Sequence, residues 1–545
     1  MMKMKNLKIF HLLTAVIGLV SLMMSFTSCT DEFADYNTNK AALMAVGPKE
    51  MAGLFSRTQM EGVNWLTTDN YSRMSSTMAN HFCGYVACGI QAQEQNVMRT
   101  GWQNSGFNGI YSSAYPPIQS ILDISKNGFN DAAYGVALIW KVFLMHRMTD
   151  LWGPVPYSDA GNAKAIVAYE SQKDVYYKML ADLTSAVDIL NAALQKTPGL
   201  NIFGVGDMIY NGDVSKWIKF GNTMRLRLAM RLSNVDPDKA QAEAEAAVKG
   251  SLMETNADDA LMAVNRWASG GNGMPRMESF YQDVMSTSME SILKGYNDPR
   301  MQEFFSPVSP ANITDAFPAE LRSNANGYHG MANGFEPAQF VYFKAYSKTG
   351  PRFKDGNQLV TPINILNAAE THFLKAEGVW RGWNMGGGTA QQHYEKGIEI
   401  SIKQWRGASF PAASITEYIN GTSLPVAPEN FPYNDPPLTD IPVKFSTDKA
   451  KQYEQIMTQK WLALYPISFE AFAEYRRTRF PKLYMKKYSA NANVNPAIGQ
   501  IVTRLPFVDN EKATQPEEIA RATVLLGGPD LETTPVWWDV NKNGN

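Results

Sequence analysis

Cysteine and histidine are scarce in this chain, with 3 Cys and 6 His in 545 residues. Apart from Cys29 only Cys83 and Cys88 remain. His81 makes a His-x-Cys cluster with Cys83, but four ligands at zinc spacing are absent. If this region is helical, a spacing of five turns Cys83 and Cys88 to different sides, so two buried free thiols are expected rather than a disulfide. No loop has EF-hand spacing, and neither a metal site nor a cofactor is expected. Basic runs are missing as well: the formal charge is −2, and no Lys/Arg footprint of nucleic-acid binding stands out. Beyond residue 29 no apolar run is long enough to cross a bilayer, which takes about 18 residues or more. His-Glu-x-x-His, Gly-x-Ser-x-Gly and Lys-bearing phosphate-loop motifs do not occur. Gly270-Gly271-Asn272-Gly273 follows no clear strand and reads as a turn. With 52 Asp and Glu a glycosidase-like pair can always be drawn, so none carries weight without geometry. Nothing here makes a positive case for an enzyme.

The N-terminus is the first strong signal. Lys3, Lys5 and Lys8 precede a mostly apolar Ile9–Met24, and Ser25-Phe26-Thr27-Ser28 then leads to Cys29. A charged start, an apolar middle and a small-residue cleavage region describe an export signal. A cysteine at the cut points to lipidation, where two or more acyl chains give stable anchoring. The alternative is a plain secretory signal with an incidental Cys29, and Phe26 stands where lipoprotein motifs usually carry leucine. Asp31 and Glu32 resemble the acidic surface-export signal of Bacteroidetes lipoproteins. The expected organisation is a signal peptide over 1–28, a lipidated tether over 29–46 and one domain over 47–545.

Hydrophobic residues make up 45% of the chain, enough for a large core. The dominant pattern is helical. After a capping box at Ser171 and Asp174, Val175, Met179, Leu183, Val187, Leu190 and Leu194 recur at three and four until Pro198-Gly199. Asp213 opens a second helix, with Trp217, Gly221, Met224 and Leu228 on one face and Arg227 and Arg231 one turn apart. A third carries Leu366, Ala369, Phe373, Ala376 and Trp380. It breaks near Gly386-Gly387-Gly388, and Thr389 with Gln392 caps a fourth holding Tyr394, Ile398, Ile402 and Trp405. Small residues facing large ones predict that these two pack closely as a hairpin. Two more helices cover Tyr453–Leu464 and Ser468–Arg477. Repeated helix pairs of this kind build solenoid-like cores, although no strict period is visible.

Between the helices lie long segments rich in Gly, Pro, Asn and aromatics: Asn64–Tyr115, Asn265–Arg276, Pro307–Asp355 and Ser409–Asp448. Loops of more than about 15 residues in a compact domain tend to be functional or disordered. The aromatic share of 11%, with 12 Trp, argues against simple linkers. One helical scaffold with an irregular, aromatic-rich face is expected.

Five strings are long and unusual: Met145–Tyr157 with its Asp150-Leu151-Trp152-Gly153-Pro154, Asp213–Arg227, Ala369–Glu377, Gln459–Tyr465 followed by Glu474-Tyr475-Arg476-Arg477-Thr478, and Pro535-Val536-Trp537-Trp538-Asp539. In this order, from Cys29 almost to the C-terminus, they resemble the SusD/RagB family of nutrient-binding outer-membrane lipoproteins, in its SusD-like branch. The resemblance implies an all-α fold in which four tetratricopeptide-like helix pairs support a variable ligand-binding face. It further implies an anchor in the outer membrane, and a partner, a TonB-dependent transporter of the SusC type, to which captured glycan, or in some members peptide, is delivered.

Within the family strings, Arg147 and Asp150 stand three apart, as an ion pair on one helix face would. Arg225, Arg227, Arg476 and Arg477 are expected to pair with buried carboxylates such as Glu370 and Glu377 rather than to meet ligand. Glycan contact is expected from flat rings on irregular loops, oriented by polar neighbours. The candidates are Trp65, Trp102, Trp267 and Tyr328, with Asn272 and Asn326 as hydrogen-bonding partners. The structural alternative for each ring is a cap on the core. A peptide site would instead offer exposed backbone partners or a charged groove.

Overall fold

Why this chain folds into stacked helices follows from where its apolar residues fall. The computed structural model describes residues 47–64, 68–88, 96–126, 130–161, 166–264, 271–354, 356–541 and 543. Cys29 and the expected export signal and tether lie outside the described residues. Lys49–Asn545 form one compact unit. In chain order its main helices are α1 (Pro48–Asn64), α2 (Thr68–Met74), α3 (Thr100–Asn108), α4 (Tyr115–Ser125), α5 (Asp131–Trp152), α6 (Gln172–Lys196), α7 (Val214–Arg231), α8 (Pro237–Ala247), α9 (Thr287–Gly295), α10 (Ala368–Trp380), α11 (Ala390–Arg406), α12 (Lys449–Leu464) and α13 (Ser468–Thr478). Four short strands, β1 (Val86–Cys88), β2 (Ala260–Met262), β3 (Asp283–Met285) and β4 (Ile363–Leu366), pair antiparallel as β1–β3 and β2–β4. Consecutive helices pack on one another, α4 on α5, α5 on α6, α6 on α7, and α10 on α11, while α12 packs on both α10 and α11. This is a helical, tetratricopeptide-like fold. Among the described residues no helix is long and apolar enough to cross a membrane.

Caps behave as their chemistry dictates. Ser171 accepts the Asp174 backbone N–H at the start of α6, and Asp213 accepts those of Ser215 and Lys216 at the start of α7. Thr389 and Gln392 complete a reciprocal capping box on α11. Leu366 belongs to β4 rather than to the third predicted helix, which begins at Ala368. The expected close hairpin is present. A Cβ on Gly397 in α11 would come within 2.8 Å of the Phe373 ring in α10. Likewise a Cβ on Gly221 in α7 would meet Ile139 at 2.8 Å and Val187 at 2.9 Å. We expect Gly221→Leu to lower the free energy of unfolding by about 1–3 kcal/mol, because the inserted volume wedges α7 off α5 and α6; urea denaturation reads it, and an unchanged midpoint would refute the close approach.

Two departures from the sequence reading have physical reasons. The helix α5 carries no apolar stripe, since it is buried on nearly every face, and a periodicity search passes over such a helix. Much of Asn64–Tyr115, expected to be irregular, is helical: α2 and α3 each run into a π-helical turn, Ser75–Ala79 through α2 and Gly109–Ala114 through α3. Each π-turn inserts a residue and shifts the helical face, so a 3.6 period is lost.

Buried charge locks the helix pairs together. Arg227 of α7 makes a bidentate pair with Glu370 of α10, Nε to Oε1 at 2.8 Å and Nη2 to Oε2 at 2.5 Å. Arg231 donates to Glu474 at 2.5 Å and Glu470 at 2.6 Å, both on α13. Arg477 donates to both oxygens of Glu377, at 2.7 and 2.6 Å, and to Glu474, which also accepts from Lys460 at 2.7 Å. The expected pairing of Arg227 and Arg477 is therefore met. Arg476 instead donates to the backbone carbonyls of Asp150 and Thr503, and Arg225 pairs with Glu243. Arg147 and Asp150 do not pair with each other: Arg147 donates to the Gly62 carbonyl, while Asp150 accepts from Tyr176 and Trp538. On a helix buried all round, the two residues face different neighbours. Cys83 is buried and free, and burial raises its thiol well above the usual range, while the Cys88 side chain lies outside the described residues. His81 faces Asp283 at 3.4 Å.

Candidate functional site

The ring cluster that reaches the surface is assembled by β1 and β3. Pairing of Val86 with Met285 and Cys88 with Asp283 fixes the end of β3. Just before it, residues Met277–Tyr281 form one π-turn, and Gln282, left-handed at φ 58°, turns the chain into the strand. This delivers Phe280 and Tyr281 to the first turn of α3, where Trp102 sits. Tyr281 meets the Trp102 ring edge-on, with centroids 6.2 Å apart at 81°. Phe280 meets Tyr281 at 4.9 Å and 75°.

The three rings differ in exposure. Tyr281 is buried, Trp102 half-buried, and Phe280 is 66% exposed, unusual for so large an apolar ring. Two guanidiniums lie over Trp102, Arg99 with its Cζ 4.7 Å from the ring centroid and Arg73 at 5.5 Å. Both distances fall within the range for cation–π attraction, worth about 0.5–2 kcal/mol each. Burial pushes the Tyr281 hydroxyl above the ordinary phenol range, with the Arg73 guanidinium pulling the other way. The result is a bare aromatic surface at Phe280, backed by Tyr281 and by a Trp102 ring that carries two guanidiniums. Such a surface suits a flat, hydroxyl-rich ligand whose apolar face stacks while its polar edge accepts hydrogen bonds.

Of the sequence candidates, Trp102 is in this cluster. Trp65 and Trp267 lie outside the described residues. Asn326 is exposed and left-handed at φ 65°, and Tyr328 is half-buried two residues on, its hydroxyl raised by burial and by Glu303. Their turn is pinned to Val308 by backbone hydrogen bonds, Asn326 N–H to Val308 and Val308 N–H to Gly327. No ring contact among the described residues joins it to Trp102. Asn272 is 1% exposed and fully engaged. Its amide donates to the Thr361 and Pro362 carbonyls at 3.2 and 3.1 Å, and its oxygen accepts from the Met274 N–H at 2.8 Å. The expected ligand-facing role is thus corrected: a polar residue in a Gly-rich turn here serves the backbone. Asn272→Ala should cost about 1–3 kcal/mol of stability by leaving buried carbonyls unsatisfied, with ligand affinity unchanged; thermal melts beside binding isotherms test both halves.

Phe280, Tyr281, Arg73 and Arg99 were not singled out from the sequence. Phe280-Tyr281 lies just past the irregular Asn265–Arg276 segment, and that adjacency was the available signal. The arginines carried none, since their meeting over one ring depends on how α2 and α3 pack.

Comparison with known proteins follows the same lines. The SusD-like family model, described as Susd and RagB outer membrane lipoprotein, matches residues 35–539. A chitin-binding SusD homolog from Flavobacterium johnsoniae is 33% identical, with a TM-score of 0.79, over 90% of this chain and 99% of that one. A SusD homolog from Bacteroides vulgatus is 29% identical, with a TM-score of 0.79, over 90% and 98%. A SusD-like protein from Bacteroides thetaiotaomicron is also 29% identical, with a TM-score of 0.77, over 90% and 100%. No curated protein matches.

Proposed function

Because the chain belongs to the SusD-like family of outer-membrane lipoproteins, whose members bind rather than turn over their ligands, we propose that it captures glycan or oligosaccharide at the cell surface and delivers it to a SusC-type TonB-dependent transporter. Cys29 is the lipidated residue in this reading. Residues 1–28 are the export signal, 29–46 the tether and 47–545 the capture domain. The observation that carries it is the exposed Phe280 ring backed by Tyr281 and Trp102, with the Arg73 and Arg99 guanidiniums over the Trp102 ring. Trp65, Trp267, Tyr328 and Asn326 are further candidates for ligand contact in this reading.

A glycan-array screen of the chain from Thr30 onward, followed by calorimetry, tests it. The relative that binds chitin makes chitin oligomers the first ligands to try. The expected result is saturable binding that quenches tryptophan fluorescence. A blank array from folded protein, together with saturable binding of a peptide, would overturn the carbohydrate reading.

A further inference from the structure

Glu290, His329 and Glu429 come from three separate segments, and the fold forces them together. Ser286 caps α9 by accepting the Met289 N–H, which fixes the first turn holding Glu290. Beside it runs the segment through Met331, whose N–H donates to Met285 while its carbonyl accepts from Thr287. That pairing brings His329 level with Glu290, and the Gly330 N–H donates to Glu290 Oε2 at 2.8 Å. The third segment is tied to α9 by Ser291 Oγ donating to the Val426 carbonyl at 2.6 Å and by the Val426 N–H donating to Ser291. The Glu429 N–H reaches Glu290 Oε1 at 3.3 Å.

One donor atom from each side chain lies within 4.8 Å of the others. His329 Nδ1 is 3.2 Å from Glu429 Oε2 and 3.8 Å from Glu290 Oε1. His329 is only 6% exposed, yet Nδ1 makes no hydrogen bond. Nδ1 thus faces two carboxylates at ion-pair distance without a hydrogen bond, and a buried polar atom left so costs about 1–3 kcal/mol. The ring cannot easily turn away. A Cβ at residue 327 would sit 2.2 Å from His329 Nε2, so glycine there lets the imidazole lie against the chain. The His329 backbone is held from both sides, its N–H donating to Ser347 Oγ and its carbonyl accepting from the Ser347 N–H.

We propose that Glu290, His329 and Glu429 bind a divalent transition-metal cation, Zn²⁺ being the best fit. One imidazole nitrogen and two carboxylate oxygens are the ligand types zinc takes, and a water completes the tetrahedron. Glu429 is 56% exposed on its side chain, which leaves that corner open to solvent. Without metal, Lys294 bridges the carboxylates, 3.0 Å from Glu290 and 2.9 Å from Glu429. Its side chain is one-quarter exposed and can withdraw into water as the cation enters. Two carboxylates against one ammonium leave the pocket net negative, which favours a divalent ion. Sequence reasoning expected no metal, because the ligands stand 39 and 100 positions apart and no local motif joins them. A bound ion would clip α9 to both loops and stiffen this part of the surface. The proposal is independent of any glycan.

Titration of the purified chain with Zn²⁺ alone, by calorimetry after chelator treatment, tests it. One saturable site per chain is expected. Glu429→Gln, at an exposed position that spares the fold, should weaken it by at least about tenfold, the scale on which even outer-shell partners act. His329→Ala should abolish it, and Lys294→Met should tighten it. No saturable binding, or one site that Glu429→Gln and His329→Ala leave unchanged, overturns the proposal.

Discussion

Arg477→Met is expected to lower the free energy of unfolding by about 3–5 kcal/mol, because it removes the guanidinium that two buried carboxylates share. Arg477 and Glu377 are fully buried, and of the four hydrogen bonds that Arg477 makes to Glu377 and Glu474 the two to Glu377 tie α13 to α10. Glu474 keeps Lys460 and Arg231, and Glu377 keeps Arg381 at 2.9 Å, so the loss is not total. Urea denaturation measures it, and a shift smaller than about 1 kcal/mol would mean the network is mere surface-like decoration. The same network sets the acid limit of the fold. Burial by itself would raise the Glu474 carboxyl, but Arg477, Lys460 and Arg231 more than reverse this and hold it well below the usual range. Arg477 and Arg381 lower Glu377 likewise. A depressed folded-state value stabilises the fold above the ordinary carboxylate pKa, and that stability drains as pH falls from about 4.5 through the folded values. Arg477→Met should flatten this acid dependence, since less of the depression is left to lose.

Phe280→Ala combined with Trp102→Ala should reduce glycan affinity by about two orders of magnitude or more, with the unfolding midpoint changed little by the Phe280 half. Removing a stacking ring from the centre of a binding face typically costs about 2 kcal/mol or more. Phe280 buries little in the free protein, so Phe280→Ala isolates ligand contact from folding. Trp102 is half-buried under two guanidiniums, and its replacement also removes the ring beneath Arg73 and Arg99. Calorimetry on each single variant separates the two. Full affinity in Phe280→Ala would move the capture face to the turn of Asn326 and Tyr328.

Which parts of the molecule could be read from the sequence follows from locality. The helices α6, α7, α10 and α11 were legible with their caps, because an apolar stripe and a capping side chain are local in sequence. α5 was not, since a helix buried on all sides has no stripe. That the arginines of the family strings meet buried carboxylates such as Glu370 and Glu377 was legible because buried charges need partners, but which arginine takes which carboxylate was not. For Arg147 and Asp150 the same reasoning chose the nearest partner in sequence, whereas packing chose Gly62 and Tyr176.

By itself the sequence determined the helical scaffold, through periodicity and capping, and the family, through its ordered strings. Only the tertiary structure decided which rings share a surface, that Asn272 is spent on backbone carbonyls, and that Glu290, His329 and Glu429 converge. Such choices rest on contacts between residues tens to hundreds of positions apart. Short strands, π-turns and loop tethers set those contacts, and none of them leaves a repeating mark in the chain.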